Sequence, residues 1–558
     1  MENRNLIIAV VLSIAVMLGY SWLFPQPKKP LQQPTQTTST TANQSNANTV
    51  NTAQKPSTTS TPAAPITTTS SASAPQGQVA AKDITVETDL YTVVISTDGG
   101  AIKKLALKRY NDVAGTGGKP YLLVNEDNAA GYTISSEIPG TPSQRILFSA
   151  TQDSLKVTGS ESKSLELVAT LPNGLQLKRT FTFSGQDYSI HLDQLLSNVS
   201  QTTQETNIQF VLRNNIKEHI NEPSGGSGQG FFSRRYMDVF GPAVFANNGV
   251  VFDKLQGKGS LEATEKSYDK GVLWSSFGDK YFLNAVLAKD NSIASVTLRE
   301  KDGYLEQIIS SAKFTLNPGQ SINVPFKLYF GPKDIKILKA QGSDLEDAIN
   351  FGWFSAIARP LLFALKFFYR YLGNYGLAII LLTVILKIIF FPLTNKSYKS
   401  MKAMQKLQPK MQELKEKYKD DREGLNRAVM ELYRTNKVNP LGGCLPMLVQ
   451  IPVFFGLYRA LMYSVELRQA PFYFWIQDLS AKDPYYITPI IMGISMVIQQ
   501  KMTPTTMDPL QAKMMLALPV VFTVMFLNFP SGLVLYWLVN NILTIAQQAY
   551  INKTFKEA

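Results

Sequence analysis

Cysteine is nearly missing from this chain. Cys444 stands alone in 558 residues, which excludes an intramolecular disulfide, so any domain outside the cytoplasm must stand on its packed core. The two histidines, His191 and His219, sit at no metal-ligand or triad spacing, and neither a metal site nor a cofactor is expected. No catalytic constellation emerges, so an enzyme is the weakest class. Acidic residues are outnumbered, with 42 Asp and Glu against 55 Lys and Arg, for a net charge of +13. Much of that excess flanks apolar runs, which favours the positive-inside rule of membrane proteins over direct binding to nucleic acid. Gly115-Thr116-Gly117-Gly118-Lys119 lacks the four-residue gap and the following Ser or Thr of a P-loop, and reads as a turn. Gly225 to Gly230 likewise reads as a mobile loop.

What is present divides sharply along the chain. Ile7 to Phe24 is apolar and long enough to span a bilayer; with no small-x-small site before Pro25 it reads as an uncleaved anchor over 1–25. Residues 26–82 collapse to Thr, Ser, Ala, Pro, Gln and Asn, a disordered linker reaching on the order of 40 Å. Residues 83–340 predict an antiparallel β-sandwich: Leu175 and Leu177, Phe181 and Phe183, then Tyr188, Ile190 and Leu192 alternate with polar neighbours, and Pro172-Asn173-Gly174 marks a turn. Residues 341–372 carry Arg359, Pro360, Lys366 and Arg370 inside an apolar stretch, which suits a helix lying in the membrane interface.

Five further spans are expected at about 374–394, 444–465, 485–502, 513–529 and 532–550, making a polytopic α-helical membrane protein with six spans and a core over 373–550. The loop 395–440 is rich in Lys and Arg, which puts it in the cytoplasm, the β-domain in the periplasm and both termini, including the short tail 551–558, inside. Within that loop Met404, Leu407, Met411, Leu414 and Tyr418 recur at helical steps; Leu425, Val429 and Leu432 return, giving a helical hairpin with Lys399, Lys402, Lys406 and Lys410 on a basic outer face. A merely solvated charged hairpin is the competing reading.

Lys387 lies inside the span 374–394, on the order of 8 Å from its cytoplasmic end. An intramembrane lysine costs roughly 2.5–3.5 kcal/mol on insertion scales, so it should face water or a partner, with snorkelling to headgroups as the alternative. The other spans hold no acidic partner, which favours a wet cavity. Thr383 lies one turn away; Trp537, Asn541, Thr544 and Gln548 share a helical face; Ser495 pairs with Gln499, and Gln450 sits in its own span. Each is commonly interhelical glue, but together with Lys387 they suggest a hydrophilic groove. Arg459, in the periplasmic half of its span, is expected to snorkel outward.

The run Asn439-Pro440-Leu441-Gly442-Gly443-Cys444-Leu445-Pro446, with Gln450-Ile451-Pro452 after it, resembles the YidC/Oxa/Alb insertase family. So do Leu407-Gln408-Pro409-Lys410, Asp483-Pro484-Tyr485-Tyr486, Lys501 to Thr506 and Pro530-Ser531-Gly532-Leu533, while Tyr329 to Lys333 is similar to the end of the periplasmic domain in the Gram-negative branch. The resemblance implies a periplasmic β-supersandwich, a five-helix insertase core and a groove open to cytoplasm and lipid. It implies that the protein inserts nascent membrane proteins in the bacterial inner membrane, alone and beside the SecYEG translocon. Lys387 aligns with the family's positive groove residue, where that branch is expected to carry arginine. With no long basic tail, contact with the ribosome is expected through the hairpin and the loop near Thr503 to Asp508. A secondary transporter of a small anion and an envelope assembly factor are the rival classes; neither internal repeats nor membrane carboxylates support the first.

Overall fold

The computed structural model describes residues 81–115, 117–125, 134–137, 146–215, 241–253, 265–301, 303–419, 421–436, 438, 445–503 and 509–557. The N-terminal anchor, nearly all of the linker, Gly225 to Gly230, Asn439 to Cys444 and Pro504 to Asp508 lie outside the described residues.

From Asp83 to Pro332 the chain is built of strands in two large sheets. One, ten-stranded, runs 265–268, 295–301, 304–310, 209–215, 134–137, 102–111, 91–96, 83–87, 154–156, with 120–125 paired to 102–111. The other, nine-stranded, runs 249–252, 241–246, 274–278, 282–288, 321–332, 189–198, 175–184, 162–170, 149–150. Pairing among them is antiparallel except between 83–87 and 154–156. The alternation in Leu175–Ser184 is why it forms a strand: Leu175, Leu177, Phe181 and Phe183 point into the core while Gln176, Lys178, Thr180 and Thr182 face outward. Its register sets Phe181 opposite Leu192 on one side and Leu165 on the other. Phe210 of one sheet meets Phe326 of the other with ring centroids 4.6 Å apart, so the apolar core lies between the sheets.

One inward slot of that strand is charged. Arg179 is 1% exposed; its Nε donates to Gln194 Oε1 (3.0 Å), its Nη1 to the Gly99 carbonyl (2.6 Å), and its guanidinium lies over the Phe148 ring at 4.5 Å. Burial pushes its pKa down to about 9. Gly100, at φ +57°, lies against the guanidinium where a Cβ would collide, so this turn is stapled to the opposite sheet only because it carries glycine.

The helices follow. We number them α1 (Ile335–Gln341), α2 (Ser355–Leu372), α3 (Tyr375–Lys406), α4 (Gln408–Lys417), α5 (Arg422–Thr435), α6 (Leu445–Met462), α7 (Ile487–Met502), α8 (Pro509–Phe526) and α9 (Ser531–Glu557). Among the described residues only α3 is by itself long and apolar enough to cross a membrane; Val449–Met462 and Met515–Phe526 are shorter apolar stretches. Gly373, at φ +63°, closes α2, and Asn374 opens α3 by accepting from Leu377 N (3.1 Å). The span expected over 374–394 is the first part of a longer helix. α3 runs on through Pro392 to Lys406, about 48 Å in all, and ends ahead of Gln408-Pro409. α4 and α5 pack together; Tyr433 OH donates to Met411 Sδ (2.9 Å) and Asp421 caps α5.

α2 is amphipathic, burying Ala358, Leu361, Leu362 and Leu365 and exposing Phe363, Phe367 and Tyr371. Two of its charges are paired. Lys366 bonds Asp334 (3.0 Å) and Glu466, and Arg359 bonds Asp347 (2.6 Å), because carboxylates of the preceding segment and of the loop after α6 fold back onto the helix.

A cross-strand ion cluster gives this fold a measurable pH dependence. Arg213 and Arg299 flank Glu306 from the two neighbouring strands, each directly opposite it, with Arg299 Nε donating at 2.8 Å. Burial alone raises the Glu306 carboxyl, but the two guanidinium groups outweigh it and hold it below the usual range. A depressed carboxylate adds stability that is present above the unfolded value, near pH ~4.3, and is lost as pH falls through the folded one. Glu306→Gln should therefore lower full-chain stability by about 1–3 kcal/mol at neutral pH, the two arginines being partly exposed. Urea melts should show the difference shrinking as the pH falls below ~4.

Candidate polar cavity among the membrane helices

α3 has a clear inward face. Tyr375, Ala378, Ile379, Leu382 and Thr383 are buried along it, whereas Ile388 and Ile389 are largely exposed on the other side. Lys387 continues the inward face one turn after Thr383, so it points into the helix bundle rather than outward. Its Nζ donates to Thr544 Oγ1 of α9 at 2.7 Å. No carboxylate pairs with Lys387 among the described residues.

A small cavity opens beside it, lined by Thr383, Leu386, Lys387 and Phe390 of α3, Gln450 and Val453 of α6, and Tyr536 and Asn540 of α9. Gln450 Nε2 donates to Asn540 Oδ1 (3.3 Å), linking α6 to α9 across it. Thr544 Oγ1 also donates to the Asn540 carbonyl (2.6 Å), which leaves its lone pairs turned toward the ammonium. Thr383, Lys387, Gln450 and Thr544 thus come together, as the spacing suggested.

The other candidate residues do not join them. Asn541 Nδ2 donates to Ser495 Oγ (3.0 Å) and Gln548 Nε2 to Thr503 Oγ1 (3.0 Å), so these four knit α9 to the segment around α7. Gln499 is half-buried on α7, its carbonyl accepting from Thr503 Oγ1. Trp537 is a correction: its indole stacks among Phe454, Phe522 and Phe526, with centroids 4.7 to 6.2 Å away, an apolar site toward the other end of the bundle. The ring packs between aromatic side chains of α6 and α8. Lys399 and Lys410 are exposed, Lys406 lies on the last turn of α3 and Lys402 is half-buried. Arg459 reaches along α6 to Tyr463, donating to its hydroxyl at 2.8 Å.

Sequence reasoning missed Asn540 and Gln547. Gln547 Nε2 donates to Thr394 Oγ1 (2.7 Å) of α3. The signal was the doublets Asn540-Asn541 and Gln547-Gln548, seven residues apart. Neighbouring residues on a helix point about 100° apart, so each doublet serves two different partner helices.

The comparisons agree with this architecture. Residues 83–364 match the model of the YidC periplasmic domain, and residues 367–558 that of the 60Kd inner membrane protein. The membrane protein insertase YidC of Geotalea uraniireducens (strain Rf4) is 52% identical over 557 residues, 99% of each chain. That of Geobacter sulfurreducens is also 52% identical, over 100% of this chain and 99% of its own. The chain belongs to the YidC membrane protein insertase family. A crystal structure of an active YidC insertase with its first transmembrane domain resolved covers 83% of this chain and 92% of its own, at 18% identity and a TM-score of 0.35.

As a YidC-family member the chain is an inner-membrane protein with a periplasmic β-domain. That fixes which end of α3 faces out. In the loop after α6, Arg468 Nη2 and Gln469 Nε2 donate to the carbonyl of Asn111 in the β-domain (2.5 and 3.0 Å), and Asn374 at the start of α3 donates to Pro471 and Phe472 of the same loop (both 3.4 Å). The start of α3 is therefore periplasmic, and Lys387 lies about 18 Å farther along it. Replacing Thr544 by Val would leave a half-buried ammonium without its hydroxyl; Thr544→Val should cost roughly 1–3 kcal/mol, read as a lowered melting temperature in detergent, and Thr544→Ser should restore it.

Proposed function

We propose that this chain inserts membrane proteins into the inner membrane by admitting their polar segments from the cytoplasm into the cavity between α3, α6 and α9. The observation that carries this reading is Lys387: a cation on the inward face of a span, held by one hydroxyl rather than neutralised by a carboxylate. A group so placed keeps its charge available to a passing chain. An ion pair at about 4 Å is worth roughly 4 kcal/mol at an effective dielectric of 20, comparable to the cost of carrying one charged residue into a bilayer. Hydrophobic partition of the client span into lipid supplies the main drive.

The cavity is narrow, and admitting a client requires the helices around it to part. α6 is suited to move, since it packs along α2 and meets α3 and α9 more sparsely. In this reading the anchor and the five helices make six spans, with both termini and the basic segment α4–α5 cytoplasmic. Lys399, Lys402, Lys406 and Lys410 then meet nascent chains first, and the same face, with the loop near Thr503, serves ribosome contact. The family resemblance adds work beside the SecYEG translocon.

Lysine retains the charge of the arginine expected at this position but not its planar fork. Lys387→Arg should thus preserve insertion of a small single-span substrate in reconstituted vesicles, and Lys387→Glu should abolish it. Equal activity of the two variants would remove Lys387 from the mechanism. Photocrosslinkers at Thr383 and Gln450 should capture the substrate; silence at both would sink the cavity as its path.

A further inference from the structure

The periplasmic loop between α6 and α7 is tied down on two sides and bare at its tip. Arg468 and Gln469 hold it to Asn111 of the β-domain, and Phe472 packs over Gly376, where any Cβ would overlap its ring. Between the ties the turn closes on itself: Phe472 N donates to Ile476 O (2.9 Å), Ile476 N to Tyr473 O (3.2 Å) and Gln477 Nε2 to Phe474 O (3.0 Å). The tip presents Tyr473 and Phe474. At 86% exposure, Phe474 is the barest large apolar side chain among the described residues. It is also held at φ +58°, a left-handed conformation that strains a bulky residue and that glycine or asparagine would adopt freely. A strained backbone that exposes an aromatic ring gains nothing for the fold in water, and such outliers point to a role outside it.

The level of the tip is set by what it is tied to. Asn374 and Gly376 stand at the start of α3, where the apolar run of the span begins, so the tip lies at the periplasmic edge of the hydrocarbon. Other aromatics mark the same edge: Tyr371 and Tyr485 are exposed, and Tyr369 stacks on Tyr375 at 3.8 Å. From Ile487 onward α7 exposes Ile490, Ile491, Ile494 and Ile498, an outward apolar face that begins on the same periplasmic side. Aromatic rings favour the boundary between headgroups and acyl chains.

We propose that the Tyr473–Phe474 tip is a membrane anchor, inserted into the periplasmic leaflet with phospholipid glycerol and upper acyl chains as its ligand. It fixes the depth of the loop that joins the β-domain to α3. The inference rests on the membrane orientation of the chain and is independent of the cavity around Lys387.

The test uses the full chain with Cys444→Ser and Phe474→Cys, labelled with an environment-sensitive NBD group and reconstituted into phosphatidylethanolamine–phosphatidylglycerol vesicles. Doxyl lipids labelled near the headgroup should quench the emission by roughly twofold, more than lipids labelled near the bilayer centre and more than an aqueous quencher. Emission typical of water, quenched by the aqueous reagent and untouched by both lipids, would overturn the proposal and leave the tip to a protein partner. A second variant tests the strain without any label. Phe474→Gly should melt at the same or a higher temperature in detergent; a lower temperature would mean that the ring supports the fold itself, and the anchor would fall with it.

Discussion

A positive charge inside a bundle of membrane helices must be solvated by something, and here it is solvated by one hydroxyl and a small polar recess. That constraint organises the core. Thr544 can accept from Lys387 because its own proton is committed to the Asn540 carbonyl. Asn540 in turn is held by Gln450 from α6. The cation is thus supported through α9, whose opposite side is bonded to α7 by Asn541 and Gln548. α9 serves as a two-faced post: one row of polar groups faces α3 and α6, the other faces α7. Such groups give specificity to helix contacts where lipid supplies no hydrophobic drive between helices.

The periplasmic end is built on a different principle. Lys366 lies between Asp334, at the start of α1, and Glu466, in the loop after α6, so one ammonium joins the last part of the β-domain to two membrane segments. Burial works against that charge, but the two carboxylates outweigh it and raise the lysine above its ordinary range. Asp334, penalised by burial, is nevertheless pulled below the usual carboxylate range by the same lysine. With the acid's pKa lowered and the base's raised, the clasp keeps its charges across the neutral range and is lost only at the extremes. Arg468 adds a second tie, its guanidinium lying over the rings of Tyr121 and Phe282 as well as bonding Asn111.

Much of this is legible in the amino-acid pattern alone, and the reason differs by region. Strand period and burial coincide in Leu175–Ser184, so Leu175, Leu177, Phe181 and Phe183 declare the sandwich. Arg179 does not declare itself, because a charge in an inward slot is explained by distant partners, among them the Gly99 carbonyl, eighty residues away in sequence. The helices are legible from their apolar runs, and Lys387 from its isolation. What the pattern does not contain is the rotation of α9 about its axis. Trp537, Asn541, Thr544 and Gln548 do share a helical face, but the neighbours divide it, and a seam between helices follows their crossing rather than an ideal spacing. Hence Thr544 goes to Lys387, Trp537 to the aromatic cluster, and Asn540, one residue off the expected stripe, to the cavity.

The contrast between the two ends bears on where the bundle can open. On the periplasmic side, ion pairs, a capped helix start and a packed aromatic loop cross-link α2, α3, the β-domain and the end of α6. Separating them would expose several partnered charges at once, each costly without its partner. Toward Lys387 the described contacts of α6 with α3 and α9 include an amide pair, Gln450 with Asn540, and side chains bordering a void. Neutral hydrogen bonds of that kind contribute only about 0.5–1.5 kcal/mol net, and water or a polar client can replace them. On the reading proposed above, a bundle clasped at one end and weakly bonded at the other would part at the weak end. In that proposed mechanism the β-domain clasp and the polar cavity act as one device, since the first would set the side of the membrane on which the second widens.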